Sequence, residues 1–214
     1  MEHNMQDQII QLLKQYGITN QLEQAHFLGQ CAVESANFNT LTENPNYRYS
    51  TALKVFPTYK TQIQALQKKY NKGANDFVAQ PEFFNIVYGA RMGNQLNGTN
   101  DNDGWDYRGG GLLQLTGINN YKAFLMWLHG RGQYTNLTID TIDDFVRTPI
   151  GATLSAIWYW LANGVGSYAR SDNIQAVSKL INVGNIKASI SAVNGFNERI
   201  IKTNYFKRQF GLLK

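Results

Sequence analysis

Cysteine occurs once in the 214 residues, at Cys31, so no disulfide within the chain can staple the fold. Proline occurs four times, too rarely for a proline-rich linker. The three histidines, His3, His26 and His129, are scattered; with a single cysteine they give no zinc-ligand spacing, and no metal or cofactor is expected. Charged residues are 16% of the chain, against the roughly 25% usual in soluble domains. The longest apolar run towards the C-terminal end, Ala156 to Ala162, has seven residues, where a membrane span requires about 18. What stands in place of charge is amide. Asn and Gln together number 39, against 35 charged residues, beside 27 aromatics. So many rings, with a net charge of only +5, exclude a disordered chain. Rings offer flat apolar faces and amides offer paired donors and acceptors, which suits a neutral, hydroxyl-rich ligand such as a sugar.

A modest positive charge raises the local concentration of a polyanion. The densest basic stretch, Lys202, Lys207, Arg208 and Lys214, contains no nucleic-acid-binding motif. The expected partner is therefore an anionic wall or envelope and not nucleic acid. The first residues, Met1 to Asp7, are polar and lack the hydrophobic region of a signal peptide; the expectation is synthesis in the cytoplasm without membrane insertion.

Length and the absence of linkers, repeats and low-complexity blocks predict one domain over residues 1–214. Apolar residues recur at helical spacing, which predicts a mainly α fold. Helices are expected over residues 5–16, stopped by Gly17, and 21–37, capped by Asn20. Others are expected over 50–56, 59–71, 81–90, 117–129, 149–163, 171–182 and 186–202. Alternation suggests a strand only near Leu112–Leu115. Asn94 to Gly111 reads as a long Asn-, Asp- and Gly-rich loop, and a loop of that length in a compact domain is usually functional.

In the second helix Phe27, Cys31, Glu34 and Phe38 follow i, i+4, i+7, i+11 spacing and share one face. A carboxyl group buried in that stripe would be held protonated, as a general acid needs. The alternative is that Glu34 sits at the edge of the stripe and reaches solvent or a structural partner. Glu43 precedes Asn44-Pro45, where the chain is biased to an extended conformation, so it is expected in a loop, solvated and ionised. Two carboxyls in opposite environments form the acid/base pair of an inverting glycosidase; taken alone, Glu43 reads as a surface loop glutamate.

The run Ala25-His26-Phe27-Leu28-Gly29-Gln30-Cys31-Ala32-Val33-Glu34-Ser35-Ala36-Asn37-Phe38, followed by Glu43-Asn44-Pro45-Asn46-Tyr47, resembles the catalytic region of phage endolysins related to the family 19 chitinases. Val87 to Asn94, Asp103 to Gly117, Leu180 to Gly184 and Asn197 to Ile200 extend the resemblance over residues 25–203. It implies a lysozyme-like helical fold of two lobes around a cleft, and inverting hydrolysis of a β-1,4 bond beside an N-acetylated sugar. Glu34 takes the general acid position and Glu43 the general base position. Thr116 matches the residue that helps the base hold the attacking water. Tyr107, Gln114 and Asn120 match sugar-contacting positions, and Asn182 an asparagine of the cleft. Arg199 matches an arginine near the base; a structural ion pair is the other reading. Two positions depart from the pattern. Val33 stands where the family usually has histidine, and Gly110 stands where it usually has arginine in Gly-Arg-Gly. Loss of that arginine removes a bidentate donor, for which Arg108 is the available substitute.

Gly109-Gly110-Gly111 is no phosphate loop, since no Lys-Ser/Thr follows. Asp101, Asp103 and Gly104 have the composition of a calcium loop, but the twelfth position is Gly110 and the bidentate glutamate is missing. Of the consecutive Trp158, Tyr159 and Trp160, at least one is expected in the core. The expectation is a monomeric, single-domain endolysin without a separate wall-binding domain, acting on peptidoglycan as an N-acetylmuramidase. It would be made in a host cytoplasm and act in the periplasm after release. The rivals are a chitinase of the same fold and a non-catalytic wall-binding protein.

Overall fold

The computed structural model describes residues 2–94 and 102–214. In chain order the helices are α1 (Glu2–Gln15), α2 (Gln21–Glu34), α3 (Tyr49–Val55), α4 (Lys60–Lys69), α5 (Glu82–Tyr88) and α6 (Asp103–Asp106). They continue with α7 (Ile118–His129), α8 (Ile142–Val146), α9 (Pro149–Ala162), α10 (Val165–Arg170), α11 (Ile174–Asn182) and α12 (Phe196–Gln209). Short 3-10 turns occupy Pro57–Tyr59 and Ile190–Ala192. Among the described residues β structure is confined to isolated bridges, so the fold is mainly α, as the periodicity predicts.

Several boundaries differ from expectation. The stretch Leu112–Leu115 is a turn, not a strand: Gly110 and Leu115 exchange both backbone hydrogen bonds, at 3.0 and 2.7 Å, and Gln114 takes a left-handed φ of 51°. α6 lies inside the stretch read as a loop; residues 95–101 of that stretch, with Asp101 of the calcium-loop composition, lie outside the described residues. The last helix begins ten residues later than its periodicity suggests. Gly195, at φ 65°, precedes it, and the Asn182 side chain accepts from the Asn194 N–H at 2.8 Å, which fixes the turn that starts α12. α2 ends at Glu34, three residues early, because Ser35 redirects the chain. Its hydroxyl donates to the Cys31 carbonyl and accepts from the Phe38 N–H at 3.0 Å, over Ala36, Asn37 and Phe38, all at positive φ.

The chain divides into two compact units. The first comprises residues 1–41, 111–114 and 144–214. α2 is its central element: Ala25, Phe27, Leu28, Cys31 and Ala32 are buried. Asn20 caps it, its side chain accepting from the Glu23 N–H at 3.0 Å. α12 packs along α2. Their close approach requires Gly29, where a Cβ would lie 2.4 Å from Thr203 Oγ1 and 2.7 Å from Thr203 Cα. The buried Glu23 accepts from Trp160 Nε1 at 3.0 Å and from Arg170 Nη1 at 2.7 Å, tying α2 to α9 and α10. Buried His26 meets Asp172 at 2.8 Å, and Lys207 of α12 pairs with the same carboxylate. Burial lowers the His26 pKa despite Asp172. Asp172, which burial alone would raise, is held below its usual value by Lys207 and His26.

The second unit comprises residues 42–110 and 115–143. Its core gathers Tyr49, Ala52, Ile63, Leu66, Val78, Phe83, Phe84 and Val87. Tyr47, Phe56, Tyr88 and Trp105 pack against that core, in edge-on and stacked ring contacts that add to area burial. α6 is drawn onto α5 at Gly104, where a Cβ would meet the Phe84 carbonyl oxygen at 2.4 Å.

Candidate active site

In the first unit Glu34 is the last residue of α2. The stripe that leads to it is buried at Phe27 and Cys31, but Glu34 itself emerges at the rim with its side chain 21% exposed. Phe38 lies beyond the helix end and packs edge-on against Phe206. Glu34 is not an isolated carboxyl in an apolar wall, because Arg199 of α12 pairs with its Oε1. Arg199 is 2% exposed, and its fork is shared among protein groups. Nε donates to the Asn194 carbonyl at 3.0 Å and Nη1 to Gln30 Oε1 at 2.7 Å. Gln30 Nε2 in turn donates to Ser178 Oγ of α11 at 3.4 Å. Asn182 holds the Asn194 N–H, so a hydrogen-bonded series runs Asn182–Asn194–Arg199–Glu34. A buried cation with each nitrogen engaged is the arrangement in which an ion pair withstands its desolvation cost. Tyr159 of α9 lies in the field of Glu34; burial first, and that carboxylate second, raise its hydroxyl pKa, and its hydroxyl donates to the Leu180 carbonyl at 2.9 Å.

In the second unit the backbone bridges Thr42–Gly110 and Gly110–Leu115 align three segments side by side. Glu43 and Thr116 each follow a bridged residue, one step past the ladder. Glu43 is held at both oxygens: Oε1 accepts from the Tyr88 hydroxyl at 2.9 Å and Oε2 from the Gly109 N–H at 3.2 Å. Its own N–H donates to the Gly109 carbonyl at 2.7 Å. Burial raises the Glu43 pKa above its ordinary 4.5, and the Tyr88, Gly109, Arg108 and Tyr47 interactions offset only part of that. Arg108 stacks 3.8 Å over the Trp105 ring and stabilises the Glu43 charge, which supplies at Arg108 a cation that Gly110 does not.

For Glu34 the structure shows the alternative reading: it sits at the edge of the stripe on a structural partner, Arg199, which the resemblance places near the base Glu43 and which instead pairs with the acid. Glu43, expected solvated, is the carboxyl that burial pushes up. The cause is tertiary: Arg199 arrives from 165 residues away, and Tyr88 from 45, neither visible in local spacing.

The remaining expected site residues are distributed as follows. Tyr107 is 5% exposed, with its hydroxyl donating to the Ile139 carbonyl at 3.0 Å and its ring edge-on to Tyr121. Gln114 donates from Nε2 to the Gly111 carbonyl at 3.0 Å, closing its own turn. Asn120 is exposed at the start of α7, and its Nδ2 donates to the Thr116 carbonyl at 2.8 Å. Asn182 closes α11 and orders the turn before α12. Glu34, Gln114, Asn182 and Arg199 belong to the first unit, and Glu43, Tyr107, Thr116 and Asn120 to the second. Four participants were not singled out from sequence: Gln30, Asn194, Tyr88 and Gly109. Gln30 had a signal, since it precedes Glu34 by one helical turn on α2.

No family model matches the chain. A Haemophilus influenzae (strain Rd) protein described as a glycosyl hydrolase family 19 domain-containing protein is 34% identical over 192 residues, which is 87% of this chain and 80% of that protein. The chain belongs to glycosyl hydrolase family 19. Membership supports glycoside hydrolysis as the chemistry of this family 19 chain, and it draws on the same length of sequence that carries both carboxyl groups. Among the described residues no helix of the family 19 chain is long and apolar enough to cross a membrane.

Proposed function

We propose that this family 19 chain is an endolysin that hydrolyses the β-1,4 bonds of peptidoglycan glycan strands as an inverting N-acetylmuramidase. The observation that carries the reading is the pair of differently held carboxyls, Glu34 on Arg199 and Glu43 between Tyr88 and Gly109, within a family 19 sequence. In its protonated form, with Arg199 still donating to its other lone pairs, Glu34 gives its proton to the glycosidic oxygen as the C–O bond breaks. Glu43 takes a proton from the water whose oxygen bonds to the anomeric carbon on the opposite face. Burial makes Glu43 a stronger base than a solvated carboxylate, which favours proton abstraction near neutral pH. Thr116, which like Glu43 follows a residue bridged to Gly110, orients that water. Amide side chains at Gln114, Asn120 and Asn182 serve sugar recognition, Tyr107, buried with its hydroxyl on the Ile139 carbonyl, contributes packing and not sugar contact, and Arg199 fixes Glu34. The net charge of +5 favours adsorption to an anionic wall. Synthesis in a host cytoplasm and action in the periplasm complete the proposal.

The test is end-group analysis. Purified protein digests peptidoglycan, and the new reducing ends are reduced with borohydride and identified. Reduced muramic acid is expected. Reduced glucosamine would make it a glucosaminidase, activity on chitin oligomers alone a chitinase, and wall binding without new ends a non-catalytic protein. Proton NMR of the first product reads the anomer: the α form is expected for inversion of a β bond.

A further inference from the structure

The second unit places a phenol on the carboxylate proposed as base. Tyr88 is the last residue of α5, and its hydroxyl donates to Glu43 Oε1 at 2.9 Å. Its ring is fixed from several sides. It stacks on Phe84 at 5.5 Å with planes 12° apart and meets Phe56 edge-on at 6.4 Å. The Arg91 guanidinium lies 5.9 Å over it. Phe84 is fully buried in the unit core, so the stacking anchors the hydroxyl to a rigid platform and not to a loop.

We infer that Tyr88 is a positioning residue for Glu43, aiming its carboxylate and holding it in the ionised, proton-accepting form. This deepens the endolysin reading and rests on Glu43 being the base. A carboxylate fixed at one oxygen by a backbone N–H and at the other by a ring-anchored phenol cannot rotate away from a water. Lone pairs remain on each oxygen for that water. The charged and titratable groups facing Glu43 are Tyr88 from α5, Tyr47 from the segment after Glu43, and Arg108 from the segment after α6. Burial and the Glu43 charge raise the Tyr88 pKa far above its ordinary value, so Tyr88 remains a donor throughout the working range. Arg108 and Tyr47 act in the same direction. Tyr88, at the end of a core helix, is the member whose geometry the fold determines most directly.

The test measures pH profiles of kcat and KM on soluble glycan strands stripped of peptide, with the full chain. Tyr88→Phe keeps the ring and its stacking and removes only the hydroxyl. The expected result is a kcat lowered about tenfold, a KM within about twofold, and an acidic limb moved up by about one pH unit. Replacement of Tyr88 by 3,5-difluorotyrosine strengthens the donor and is expected to move that limb down. A limb that moves in neither variant, whether or not kcat falls, overturns the inference. Glu43→Gln separates the two levels. If it stays active, the base assignment fails and Tyr88 falls with it; if it is inactive while Tyr88→Phe leaves the limb in place, only the Tyr88 role fails.

Discussion

Gly29→Ala tests what sets the spacing of α2 and α12, and through it the Arg199–Glu34 pair. An alanine Cβ at position 29 would lie 2.4 Å from Thr203 Oγ1, 2.7 Å from Thr203 Cα and 2.8 Å from Thr203 N. Carbon contacts are favourable at about 3.5–4.0 Å, so the helices must part by about an ångström. Two of the three obstructing atoms are backbone and cannot swing aside. Helix propensity returns about 1 kcal/mol on replacing glycine by alanine, while overpacking costs about 1–3 kcal/mol and more where backbone must shift. The net expectation is a loss of about 2 kcal/mol. For a chain of this size that lowers Tm by about 4–8 °C, measured by calorimetry. Adding Thr203→Ala removes Oγ1 but leaves Cα and N in place, so it should restore less than half of the loss. A Gly29→Ala protein as stable as the parent, or full rescue by Thr203→Ala, would refute the claim that backbone contact fixes these helices.

Arg199→Met strands Gln30, Asn194 and the Glu34 carboxylate together. The expected loss is about 3–5 kcal/mol, read by urea denaturation, and a double-mutant cycle with Glu34→Gln should give a coupling above about 1 kcal/mol. A cycle that closes additively would show that the pair is not energetically linked. Because burial raises the Glu43 pKa, the folded state binds that proton more tightly than the unfolded chain does. Stability from this proton is fully present below 4.5 and is lost as pH rises through the raised value. Glu43→Gln should therefore gain stability relative to the parent across that window, seen in urea midpoints at stepped pH. His26 contributes the opposite slope. Its folded pKa is lowered from 6.5, so the unfolded chain binds the proton more readily, and stability falls as pH drops from 6.5 through the lowered value. His26→Gln should flatten that part of the curve.

Local pattern carried the longer helices. α1, α2 and α9 have apolar residues at helical spacing and recognisable caps, such as Asn20 before α2 and Thr148 before α9. α10 has six residues, too few for periodicity to register, and α12 starts where a distant side chain, Asn182, holds the Asn194 N–H. The carboxyls Glu34 and Glu43 were identifiable as candidates from their helical and pre-proline settings. Their environments were not, because Arg199 and Tyr88 reach them through tertiary packing. A helical stripe predicts which face turns inward; it does not say where along the helix the core ends, and for α2 it ends one turn before Glu34.

The ion pair at Glu34 joins residues 165 apart, and α2 packs along α12 over a similar separation. Loop closure of that span is unfavourable in entropy and must precede the contacts that reward it. Contacts of such high order slow folding. On a ribosome, α2 emerges long before this partner helix exists; Phe27 can meet Trp160 of α9 earlier, but the side of α2 at Gly29, which faces Thr203, stays uncovered until α12 is made. The surroundings of Glu34 are thus assembled late, and a chain interrupted before α12 would carry the carboxyl without the cation that orients it.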